Sequence, residues 1–97
     1  MNDSTDDLDL RRRRLAFRAR HRGIREMDLI LGRFVDEALA GMDAERLSRF
    51  EALIDVPDRD LYGWITGTGP VPATYDDDIM ASLRAIRFAA TDYGKGA

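Results

Sequence analysis

From Leu10 to Ala90 the apolar residues of this chain recur at three- and four-residue steps, in runs cut by glycine and proline, and no stretch alternates long enough to read as a strand. This pattern confines the chain to an all-α fold, because a strand must bring every second side chain to one face. The first predicted helix covers Asp9 to Arg20, with Leu15, Phe17 and Ala19 as its apolar positions and aspartates at its positive end. So thin a stripe places it at the surface of the bundle. Gly23 interrupts the pattern and begins a second helix, in which Ile24, Met27, Ile30 or Leu31, Phe34 and Ala38 fall at helical spacing. Leu31 and Val35 widen that stripe enough for burial on two sides, and Gly41 ends it.

Asp43 is placed to cap a third helix whose buried face is Leu47, Phe50, Leu53 and Ile54. Pro57 opens a fourth, with Leu61, Trp64 and Ile65 pointing inward and Gly67 as its stop. The following Gly67-Thr68-Gly69-Pro70-Val71-Pro72 reads as a surface loop. A fifth helix starts near Tyr75 or Asp76, carries three consecutive aspartates at its positive end and buries Ile79, Met80, Leu83, Ile86 and Ala90. Five helices on short connections predict a compact antiparallel five-helix bundle. The expected organisation is an acidic flexible tail over residues 1–8, one helical domain over 9–92 and a flexible tail over 93–97. With no cysteine among 97 residues, the fold has no disulfide and no thiolate-based zinc site to lean on.

Charge is distributed unevenly. Residues 1–9 hold four aspartates and no base, residues 11–25 hold eight arginines and no acid, and acids outnumber bases from Glu26 onward. An acidic start suits neither a secretory signal nor an organelle transit peptide, so the expected compartment is the cytoplasm. No window approaches the roughly 18 consecutive apolar residues of a membrane span, which excludes membrane insertion. Several enzymatic patterns can be set aside. The single histidine, His21, lies among arginines with no neighbouring carboxylate to orient it. Asp76, Asp77 and Asp78 are explained as helix-start charges. The stretch from Asp58 mimics a calcium loop but carries Gly69 where the bidentate acid belongs. Prolines follow Gly67-Thr68-Gly69 where a phosphate-binding helix would begin. The arginine block also admits a small nucleic-acid-binding protein, although Asp58 and Asp60 at the start of the would-be recognition helix would repel duplex phosphates.

One segment stands apart: Arg22-Gly23-Ile24-Arg25-Glu26-Met27-Asp28 puts a glycine at a helix junction with arginines on either side and a carboxylate in the first turn of the most hydrophobic helix. It reads either as a permissive glycine before a dipole-favourable Glu26 or as an edge where another backbone approaches Gly23, with Arg22 and Glu26 offering donors and acceptors. The Arg-Gly-x-x-Glu signature at Arg22, Gly23 and Glu26, extended by Asp28, resembles that of the succinate dehydrogenase assembly factors, the small flavinylation factors of bacteria and mitochondria. Upstream, Arg14-Leu15-x-Phe17-x-Ala19-x-His21-Arg22 is similar to the lead-in of that family. Downstream, Phe50-Glu51-x-Leu53-Ile54 and Asp58-x-Asp60-Leu61-x-x-Trp64-Ile65-x-Gly67 resemble its third and fourth helices, so the likeness covers about residues 11 to 90. Ile24 and Met27 stand where methionine and leucine are common in the family, and His21 replaces a more usual arginine or lysine.

The resemblance implies a non-enzymatic chaperone that binds the flavoprotein subunit of succinate dehydrogenase, with fumarate reductase as a further partner, and promotes covalent FAD attachment. It implies no cofactor held stably by the chain itself and no nucleic-acid partner. The partner-binding residues it implies are Arg22, Gly23, Glu26 and Asp28, flanked by Arg20, His21 and Arg25, with Arg22 and Glu26 exposed beside a well-packed second helix. The flavinylated histidine would be the partner's.

Overall fold

A computed structural model describes residues 3–96, with side chains placed for residues 7–89. Among the described residues five α-helices follow one another: α1 (Asp3–Arg20), α2 (Arg25–Ala38), α3 (Ala44–Ile54), α4 (Asp58–Thr66) and α5 (Asp78–Gly96). Single 3-10 turns at Leu39–Gly41 and Ala73–Tyr75 stand between α2 and α3 and between α4 and α5. No strand occurs among the described residues, and the all-α class is as the periodicity requires. None of the helices among the described residues is long and apolar enough to cross a membrane.

Helix boundaries differ from expectation at both ends. α1 begins at Asp3 rather than Asp9 and α5 reaches Gly96, so helix enters both segments assigned as tails, 1–8 and 93–97. An aspartate-rich start complements the positive pole of a helix, and glycine in a last turn interrupts few intrahelical bonds. Met1, Asn2 and Ala97 lie outside the described residues, as does the side chain of Ala90.

The chain divides into two units, one ending at Asp55 and one beginning at Val56. In the first, α1 packs on both α2 and α3. Its buried side chains are Leu15 and Ala19 from α1, Met27, Ile30, Leu31, Phe34 and Val35 from α2, Leu39 and Met42 from the turn, and Leu47, Phe50, Leu53 and Ile54 from α3. Each fully buried large apolar side chain contributes about 1.5–3 kcal/mol relative to exposure. The Phe34 and Phe50 rings meet at 5.0 Å and 60°, the tilted arrangement that aromatic quadrupoles favour. The third helix starts as its sequence indicates, with the Asp43 side chain accepting the Arg46 amide at 2.9 Å.

Two apolar residues of this unit fall off the core. Phe17 is 63% exposed, because Leu15 and Ala19, four apart, already define the buried face of α1 and Phe17 lies halfway round the helix between them. Ile24 is exposed because it is the extended N-cap of α2, outside the helical period it was expected to join. In the second unit, α4 packs on α5, and Val56, Leu61, Ile65, Ile79, Met80, Leu83 and Ile86 are buried. Trp64 is half-buried rather than inward, stacked on Tyr75 at 5.1 Å, while Arg84 Nε donates to the Trp64 carbonyl at 3.0 Å. α5 starts at Asp78 and not at Tyr75 or Asp76, since Asp77 is the acid whose carboxylate accepts the Met80 amide (3.1 Å) and closes the first turn.

Candidate partner-docking loop

Between α1 and α2 the backbone leaves the helical path over residues 21–24. Gly23 has φ +94°, in the left-handed region that a Cβ disfavours, and the position its Cβ would take has nothing within 4 Å. The glycine is therefore needed for backbone conformation, and it also leaves open space in front of the loop. Expected spacing placed Arg22 and Glu26 on one helical edge. Instead Ile24 is extended (φ −113°, ψ 113°), so Arg22 precedes the bend and Glu26 follows it, in the first turn of α2.

Arg22 is half-buried, not exposed as the resemblance implied. Its guanidinium Nη1 donates to the carbonyl of Ile54 at 2.6 Å, and Ile54 is the last residue of α3. A terminal helix carbonyl lacks an intrahelical donor and sits at the negative pole, so a cation there is held by hydrogen bond and dipole together. The Arg22 amide donates to Asp28 Oδ1 at 2.9 Å and the Gly23 amide to Asp28 Oδ2 at 3.4 Å. Asp28 is half-buried, and its own amide donates to the Ile24 carbonyl at 2.8 Å. Arg25 and Glu26 are exposed.

His21 is exposed, its ring stacked on Phe17 at 4.1 Å and 19°. Its Nδ1 lies 2.8 Å from the Phe17 carbonyl, an acceptor, so Nδ1 carries a proton and donates. Arg20 forms an ion pair with Asp36 of α2, and its aliphatic stem passes over Gly32, with Cγ 3.6 Å from where a Cβ would stand. The structure thus gathers His21, Arg22, Gly23 and Asp28 at one bend, sets Arg25 and Glu26 beside it, and turns Arg20 toward α2.

Most of the arginine block is committed within the first unit. Arg11 donates to Glu51 at 2.7 Å and to Ser48 at 3.0 Å, Arg12 pairs with Asp9 at 2.9 Å and donates to the Met42 carbonyl at 2.9 Å, and Arg18 pairs with Asp55. The hydrogen bond that Arg11 donates to Glu51, aided by the carboxylate's charge, raises the Arg11 pKa above the ordinary arginine value against a smaller opposing cost of desolvation. Two exposed apolar residues near the bend escaped sequence reasoning in their role: Phe17, which carries the histidine, and Leu29, 65% exposed. Leu29 was legible, since it falls outside the stripe of Met27, Ile30, Leu31 and Phe34.

No group of three or more His, Cys, Asp or Glu among the described residues is arranged to hold a metal ion. Both amides at the bend are turned onto Asp28, so they do not form a cradle for a flavin phosphate. What the bend can offer chemically is a fixed backbone with room for an incoming chain, beside an exposed carboxylate and an exposed guanidinium.

Residues 13–87 match the model of the family described as the flavinator of succinate dehydrogenase. The chain is 40% identical over 81 residues to succinate dehydrogenase assembly factor 2-A, mitochondrial, of Drosophila mojavensis, covering 81% of this chain and 52% of that protein. It is 38% identical over 81 residues to succinate dehydrogenase assembly factor 2, mitochondrial, of Aedes aegypti, with 81% and 50% covered. It is 45% identical over 67 residues to the FAD assembly factor SdhE of Acetobacter pasteurianus, with 69% and 62% covered. The chain spans about half the length of the insect relatives it matches.

Proposed function

Since the chain belongs to the succinate dehydrogenase flavinator family, we propose that it binds the flavoprotein subunit of succinate dehydrogenase and promotes covalent FAD attachment to it. The observation that carries this reading is the Gly23 bend: a left-handed glycine with open space in front of it, held from behind by Asp28 and Arg22. Such a bend lets a partner's backbone come close, and a rigid one does so without losing conformational entropy at the moment of docking. Glu26 and Arg25 supply charge-assisted hydrogen bonds at its rim, while exposed Phe17, Ile24 and Leu29 supply apolar area.

In this mechanism the flavin, which supplies the electrophilic ring, and the histidine it joins are the partner's. This chain orders the partner's flavin-binding segments and acts as a chaperone, not as a catalyst, holding no cofactor stably itself. Fumarate reductase is proposed as a second target on the same grounds. A cytoplasmic compartment is part of this proposal, whereas the insect relatives are named as mitochondrial proteins. The nucleic-acid reading loses its support, because Arg11, Arg12, Arg18, Arg20 and Arg22 each have partners within their own unit.

The test is co-expression of the flavoprotein subunit with and without this chain, followed by flavin fluorescence of the subunit in a denaturing gel. Covalent flavin is expected to rise with the chain present. Equal fluorescence in its absence overturns the proposal, and tight binding of duplex DNA would restore the alternative.

A further inference from the structure

The Asp28 carboxylate faces backward over the start of α2, toward the bend. It accepts the Arg22 amide at 2.9 Å and the Gly23 amide at 3.4 Å, one on each oxygen, across six and five residues of chain. The Asp28 amide is itself closed on Ile24 at 2.8 Å, which fixes the residue that carries the carboxylate. The opposite side of the bend is tied to α3 by the Arg22 guanidinium on the Ile54 carbonyl. Glycine enters the left-handed region about as readily as the right-handed one, so Gly23 permits the bend without selecting it. Selection has to come from the groups that satisfy the two amides, and both amides end on Asp28.

We propose that Asp28 is a positioning residue: its carboxylate holds the Arg22–Gly23 peptide in the docking conformation and does not itself touch the partner. The inference rests on the docking function proposed above and assigns within it a division of labour. Arg25 and Glu26 face outward to the flavoprotein; Asp28, half-buried, works on this chain's own backbone. Without the carboxylate the bend samples other conformations, and the apparent affinity falls in proportion to the fraction of time the docking form is occupied.

Three measurements on the full chain test this, each on the wild type, Asp28→Ala and Asp28→Asn: amide hydrogen exchange in the isolated chain, melting temperature, and the Kd for the flavoprotein subunit. In Asp28→Ala, exchange at Arg22 and Gly23 is expected to accelerate while amides within α3 and α5 keep their protection. If the docking form falls to about one tenth occupancy, Kd rises about tenfold. Asp28→Asn keeps an oxygen for the closer Arg22 amide, so it is expected to recover most of the affinity and most of the local protection. Unchanged exchange at Arg22 and Gly23 in Asp28→Ala overturns the clasp. So does a rise in exchange along the whole chain together with a matching fall in melting temperature, which would mark Asp28 as a general stability residue. If Asn weakens binding as much as Ala while the bend stays protected, the carboxylate is a charge read by the partner, and the positioning role is overturned. A wild-type chain that does not bind the flavoprotein at all removes the docking function, and with it the purpose of the clasp; the exchange data then separate that failure from a failure of the clasp itself.

Discussion

Two glycines among the described residues adopt left-handed backbone, Gly23 at φ +94° and Gly67 at φ +81°, and both have empty space where a Cβ would stand. Their surroundings differ in kind. Gly67 follows α4, and the amides of Gly67, Thr68 and Gly69 all converge on the Gly63 carbonyl, with Thr68 at 2.9 Å and Gly69 at 3.2 Å. Everything that turn needs lies within six residues, so it is a helix stop and nothing more. Gly23 has no such local closure: on one side the His21 amide reaches the Arg18 carbonyl at a long 3.4 Å, and on the other the Asp28 amide bonds the Ile24 carbonyl at 2.8 Å, which opens α2 and does not span the glycine. Its bend is held instead by a carboxylate one turn into the next helix and by a guanidinium reaching the end of α3. One turn is made by its own backbone; the other is built by side chains and is correspondingly available for a purpose besides stopping a helix.

The same substitution at both positions breaks or sustains that contrast. Alanine at either glycine carries a similar left-handed penalty of about 1–2 kcal/mol, so thermal or denaturant unfolding is expected to show comparable losses for Gly23→Ala and Gly67→Ala. Flavinylation of the partner should collapse only for Gly23→Ala, and more completely for Gly23→Leu, whose bulk occupies the open space. Equal loss of flavinylation at both sites would mean that overall stability, not the Gly23 edge, sets activity. A smaller effect is expected from Arg22→Ala, which removes the bond to the Ile54 carbonyl; denaturant unfolding should report a loss of about 1–3 kcal/mol, the range for a charge-assisted bond whose acceptor is left behind. If unfolding is unaffected, the bend is not anchored on α3. The smallest effect is expected at the other turn. Thr68→Val deletes a hydroxyl 3.4 Å from a Gly63 carbonyl already served by backbone amides, and should cost under about 0.5 kcal/mol by the same unfolding measurement. A larger loss there would show that side chains hold the Gly67 turn too, and the contrast would dissolve.

How legible these features are in the sequence follows the same division. The stripes of α2 and α3, the Asp43 cap, the Gly67 stop and the aspartates before α5 all rest on relations within four residues or so, and periodicity reads them directly. Arg22 was misplaced as exposed because its acceptor is the carbonyl of Ile54, 32 positions on, and a backbone carbonyl leaves no mark on sequence. Phe17 and Ile24 count among the apolar positions of α1 and α2 by residue type, yet both lie exposed, because apolar character alone does not set helix phase. Among the acidic partners of the arginine block, Asp9 lies three residues from Arg12 on the same helix, but Asp36, Glu51 and Asp55 lie 16 to 40 residues from theirs, and only the tertiary arrangement pairs them. The resemblance in turn picked out the residues of the bend but not their separate tasks.

The Arg20 stem lying over Gly32 gives those arginines another aspect. α1 presents few buried apolar side chains, Leu15 and Ala19 among them, yet it packs on two helices. Long methylene stems can cover apolar surface while their charged heads stay in water, and here one of them fills the seam beside a residue that has no side chain of its own. In effect Arg20 serves α1 as a greasy residue with a soluble tip. Truncating such residues one by one to alanine would shave van der Waals contact from the α1–α2 seam along with charge, whereas methionine at the same position would remove the charge and keep the fill.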